Sequence, residues 1–112
     1  MTFRLSLSQL ADRQRCRSEI AAKLATEVPD TDLGCAVFWQ RVAAESELAA
    51  LVLADSSCLD EALILCDRML RALDMKIAWC DDPADKMAMQ MVMLDVRLDV
   101  SLLAPKHRGL VS

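Results

Sequence analysis

From Leu59 to Ile77 the apolar residues Leu59, Ala62, Leu63, Cys66, Met69, Leu70, Leu73 and Ile77 recur at steps of three and four. At about 100° per residue they line one stripe of a helix, with Asp60, Asp67, Arg71 and Asp74 off it. The start, Ser57-Cys58-Leu59-Asp60, has the look of a capping box. Two further helices are predicted upstream. One spans Ser8 to Glu27, capped by Ser8 and stopped by Val28-Pro29-Asp30, because a proline disfavours helical geometry in the residue before it. Its apolar positions Leu10, Ile20, Leu24 and Val28 are interrupted by Arg13 and Arg17. The other spans Asp32 to Ala54, capped by Thr31 or Asp30. It is apolar nearly all round, which is the pattern of a central helix, and Phe38 and Trp39 supply large buried rings.

The segment Lys86 to Leu103 carries two periods at once. Val92, Leu94, Val96, Leu98, Val100 and Leu102 alternate with mostly polar residues, as in a half-buried strand. Its beginning reads as a helix start instead. Asp82 suits an N-cap, Pro83 the first helical position, and Asp85 the positive end of the helix dipole. As a helix ending at Pro105 it has two opposite apolar faces. Met87, Met91, Leu94, Leu98 and Leu102 form one; Met89, Val92, Val96, Val100 and Leu103 form the other. We expect the first face to meet the chain's own core and the second to meet a partner, although the wheel fixes only that the two are opposite. The expected fold is an all-α, four-helix bundle-like single domain over residues 1–112, with 105–112 a polar tail. The alternative is short strand pairing of Phe3–Leu7 with Leu94–Leu102.

Composition supports the helical reading. Of 112 residues, 54% are hydrophobic, and two Gly and three Pro are too few for the turns of a many-stranded protein. The net charge of −4 gives no case for nucleic-acid binding. Charge is uneven, however: residues 1–23 carry five basic and two acidic side chains, and the remainder is acidic. Arg13, Arg15 and Arg17 are therefore candidate electrostatic contacts, to the protein's own acidic body or to an acidic partner, unless they form a solvated face. The longest uncharged runs fall well short of the ~20 residues of a membrane span. Arg4 and the polar run from Ser6 to Ser18 leave no apolar core for a secretory leader, so a cytoplasmic location with reduced thiols is expected.

Candidate chemistry is sparse. The one histidine, His107, lies in the tail, where nothing holds it against a nucleophile. Cys16, between Arg15 and Arg17, is the candidate redox-sensing thiol, since nearby positive charge favours the thiolate. Asp81, Asp82 and Asp85 lack the spacing of a Ca²⁺ loop and read as helix caps. Met87, Met89, Met91 and Met93 would suit a soft metal on one face of a strand, but on a helix they divide between two faces and read as adaptable packing. No catalytic residue, cofactor site or metal site is assigned.

One resemblance is carried by Asp82-Pro83-Ala84-Asp85-Lys86-Met87, then Gln90, Met93, Val96, Leu98-Asp99-Val100-Ser101-Leu102-Leu103-Ala104 and Lys106. This pattern resembles the C-terminal segment of inner-rod proteins of bacterial type III secretion systems, in which a proline opens a long amphipathic helix that packs against neighbouring copies. Pro105 stands where such a helix would continue. The resemblance implies an exported structural subunit. Taken alone, the residues imply a non-enzymatic interaction protein of the chaperone, anti-activator or inhibitor type, binding a protein partner or a second copy through Met89, Val92, Val96, Val100 and Leu103. A thiol-based sensor using Cys16 is the third reading.

Overall fold

A computed structural model describes residues 5–29, 31–54 and 58–111, with side chains up to Lys106. Four helices follow one another: α1 (Leu7–Glu27), α2 (Leu33–Val52), α3 (Leu59–Ala78) and α4 (Pro83–Val111). They form an elongated bundle of 49 × 23 × 22 Å. The protein is all-α, and the described residues contain no strand. None of the described helices is long and apolar enough to cross a membrane.

Local chemistry sets the helix starts. Ser6, not Ser8, caps α1, because only Ser6 has Gln9 three residues on to close a reciprocal box. The Gln9 N–H donates to Ser6 Oγ at 3.1 Å and the Ser6 N–H to Gln9 Oε1 at 2.8 Å. The helix stops where Val28 turns extended ahead of Pro29. Asp32, one residue after Thr31, caps α2 by accepting the Cys35 N–H at 3.1 Å; Asp30, the other expected cap, lies outside the described residues. In α3 Asp60 and Glu61 occupy the first turn and Lys76 the last, as the helix dipole favours. Ser57 also lies outside the described residues. The Asp82 carbonyl accepts the Lys86 N–H at 2.9 Å, the first hydrogen bond of α4.

The helices form two hairpins. α1 packs along α2 and α3 along α4, while α2 and α3 join the pairs. The stripe expected on α3 is the one that it buries: Leu59, Ala62, Cys66, Met69 and Leu73 are in the core, with Leu63, Leu70 and Ile77 half-buried against it. Trp39 is buried on α2, its ring edge-on to Phe38 at 5.2 Å. α2 is less central than its composition suggested, since Leu33, Val37, Leu48 and Leu51 all face solvent.

Three expectations for α4 require correction. First, Leu94–Leu102 is helix, so it does not pair with the N-terminal segment; Leu5 is irregular and Leu7 opens α1, while Phe3 lies outside the described residues. Second, Pro105 does not end the helix, which runs on to Val111 and takes in nearly all of the expected tail. Third, the two faces are exchanged. Met89, Val92, Val96 and Leu103 are buried inside the chain, with Val100 half-buried beside them, so this face is core. Met87, Met91, Leu94 and Leu98, expected in the core, are 42–65% exposed, and of that face only Leu102 is half-buried against the core.

The exchange gives a direct test. Val96 is fully buried, so Val96→Asp places a carboxylate among apolar groups. The expected result is a loss of about 4 kcal/mol or more of stability in urea unfolding. A folded, merely dissociated Val96→Asp chain would restore the opposite assignment.

Candidate functional site: the seam between α1 and α4

The first and last helices are neighbours whose backbones stand apart. Long side chains fill the interval. Arg13 and Arg17 lie one turn apart on α1, as do Asp95 and Asp99 on α4, so two cations meet two anions across the seam. The Arg13 Nε donates to Asp99 Oδ1 at 2.6 Å, and its Nη2 to Asp95 Oδ1 at 2.5 Å. The Arg17 Nε and Nη2 donate to Asp95 Oδ2 at 3.2 and 3.0 Å, and Nη2 also donates to Asp99. Gln14 completes the set: its amide donates to Asp99 Oδ2 at 2.7 Å and to the Leu10 carbonyl at 3.2 Å, and its oxygen accepts from Arg17.

Burial makes this group costly to disturb. Gln14, Arg17 and Asp99 are all at most 2% exposed, yet no buried side-chain nitrogen or oxygen among the described residues lacks a partner. Burial alone would lower the Arg13 pKa, but the hydrogen bonds and charges of Asp99 and Asp95 outweigh it and raise the guanidinium above its ordinary value. Cys66 on α3 borders the group, and burial pushes its thiol up to about 11.

Beside this group a groove of about 670 Å³ opens between the two helices, running along α1 from Gln9 to Leu24 and along α4 from Ala88 to Asp95. Cys16, Ile20 and Leu24 form one wall; Ala88, Met91 and Val92 form the other. Ile20 and Met91 are exposed at its mouth. Beside this groove, and sharing Met91 with it, Met87, Met91, Leu94 and Leu98 follow one another at steps of four, three and four, a 3.5-residue repeat that keeps them in line along α4. The surface is apolar with one charged end, and that end is internally neutral, because Arg13 and Arg17 already face Asp95 and Asp99.

The sequence-predicted residues divide accordingly. Arg13 and Arg17 do make electrostatic contacts, and the acidic group that they meet is on the chain's own last helix. Arg15 points elsewhere and pairs with Asp12 at 2.6 Å on the exposed side of α1. Cys16 is exposed on the groove wall, while the positive charge of both flanking arginines is matched by carboxylates. The His107 side chain lies outside the described residues. Gln14, Asp95 and Asp99 have structural roles that were not foreseen. A signal existed: an Arg pair and an Asp pair, each spaced by four, both interrupt otherwise apolar helix faces. Comparison with known protein families, curated proteins and solved structures finds no match to this chain.

Two outcomes are expected. Asp99→Ala leaves Arg17 buried without its fullest partner and costs about 3–5 kcal/mol in chemical unfolding, whereas Arg17→Met combined with Asp99→Leu recovers much of that loss. In native alkylation at neutral pH, Cys16 reacts well before Cys66, because Cys66 is buried and becomes a thiolate only near pH 11.

Proposed function

We propose that this protein is a non-enzymatic protein–protein binding module, of the chaperone, anti-activator or inhibitor type, whose contact surface is the exposed stripe of α4 and the groove beside it. The observation that carries this reading is the row Met87, Met91, Leu94 and Leu98, each 42–65% exposed and aligned at coiled-coil spacing. A stripe of this kind accepts a helix, since knobs spaced by 3.5 residues fit the holes of another helix. The methionines fit a contact that adapts to its partner, because unbranched thioether chains repack readily. A second copy of the chain is the first partner to test.

A second reading has its own support. In the inner-rod family that residues 82–106 resemble, the helix continues past the position of Pro105, and α4 does so here. In that reading the same stripe drives polymerisation of an exported structural subunit rather than binding in the cytoplasm.

Light scattering after size-exclusion chromatography, over a concentration series, separates these readings. The binding module forms a discrete helical dimer; the rod-like subunit grows into large assemblies. Leu94→Asp weakens either association by roughly tenfold or more, and changes stability by only about 0.5 kcal/mol, because Leu94 is exposed in the single chain. Association that survives both Leu94→Asp and Met91→Asp would exclude the stripe as the contact.

A further inference from the structure

α2 and α4 begin at the same end of the bundle, and three side chains from their first turns converge there. A carboxylate oxygen of Asp32, the Cys35 Sγ and a carboxylate oxygen of Asp85 all lie within 4.8 Å of one another. Capping explains part of this arrangement, since Asp32 Oδ1 accepts the Cys35 N–H at 3.1 Å. It does not explain the thiol. Cys35 is only 2% exposed and its Sγ makes no hydrogen bond to a described residue, yet two carboxylates stand against it.

The electrostatics leave a deficit of positive charge. Burial raises the Cys35 pKa most, Asp85 and Asp32 raise it further, and Lys76 opposes them. The Asp85 carboxyl is raised too, first by burial and then by Asp82 and Asp32. The carboxylates of Asp32, Asp82 and Asp85 and the thiols of Cys35 and Cys80 thus share the neighbourhood of the Lys76 ammonium group. Lys76 Nζ lies at its edge, near Gly34.

We propose that Asp32, Cys35 and Asp85 form a binding site for a divalent transition metal of the zinc class, with water completing a tetrahedron. The donor set selects the ion class: Mg²⁺ and Ca²⁺ require oxygen ligands throughout, whereas Zn²⁺ accepts thiolate and carboxylate together. Bonds of about 2.0–2.3 Å draw the three ligand atoms to roughly 3.5 Å from one another, a small contraction for two carboxylates at helix ends. On binding, the Cys35 thiol releases its proton to solvent and the thiolate takes the metal. The Cys35 N–H already donates to Asp32 Oδ1 and so holds that carboxylate in place beside the thiol. Bound metal joins α2 of one hairpin to α4 of the other. This site is independent of the binding role of the α4 stripe.

Titration of the reduced full chain with Co²⁺, followed by displacement with Zn²⁺, tests the site. The expected result is one Co²⁺ per chain, with a thiolate-to-cobalt charge-transfer band in the near ultraviolet and a higher melting temperature. Cys35→Ser abolishes the band. Asp85→Asn, at a half-buried position that leaves the core intact, weakens binding about tenfold or more. Circular dichroism melts of both variants establish that they are folded. Absence of a thiolate band in the wild-type chain, a band that persists in folded Cys35→Ser, or unchanged affinity in Asp85→Asn would each overturn the proposal.

Discussion

The bundle depends on a polar clasp between its first and last helices, whose backbones stand apart. Two arginines and two aspartates hold α1 to α4, with Gln14 taking the positions that the ions leave. Burying such a set is expensive, and attraction between the charges offsets that cost only when every donor finds an acceptor. The geometry meets that condition. It also fixes which face of α4 turns inward, because Asp99 reaches Arg17 only when Met89, Val96 and Leu103 point to the core.

Hydrophobicity alone would have oriented α4 the other way. The Met87, Met91, Leu94 and Leu98 face is built of larger side chains than the valine-rich face opposite, and burying larger apolar groups is worth more. The polar requirement prevails because a wrongly turned α4 would leave the arginines of α1 facing apolar side chains. Much of the fold was legible in the residues: the Val28-Pro29 stop, Pro83 at the head of α4, and the single stripe of α3. The period-two alternation of Val92 to Leu102 misled in part because alternate residues along two opposite helix faces also satisfy steps of three and four. What the chain did not disclose by itself was pairing across 78 to 86 residues, which depends on how the hairpins close.

The same competition accounts for the exposed surfaces. α2 reads as central, yet its small residues Ala49 and Ala50 are buried while Leu48 and Leu51 stand outside. Close approach of α1 and α2 favours small side chains at the contact and displaces the large ones to the rim. The groove has a related origin: arginines space the helices apart where they bridge them, and the shorter Ile20, Leu24 and Ala88 cannot span the same interval.

The order in which the chain emerges during synthesis gives the clasp a further consequence. The α1–α2 hairpin is complete many residues before α4 exists, so its side of the seam must wait in water for its partner. An apolar seam left waiting would be adhesive and prone to premature association. A guanidinium waits without harm, because it stays charged and hydrated until a carboxylate arrives. Carrying cations on the helix made first and anions on the helix made last keeps the unfinished chain soluble, and defers closure of the bundle until its final helix is present.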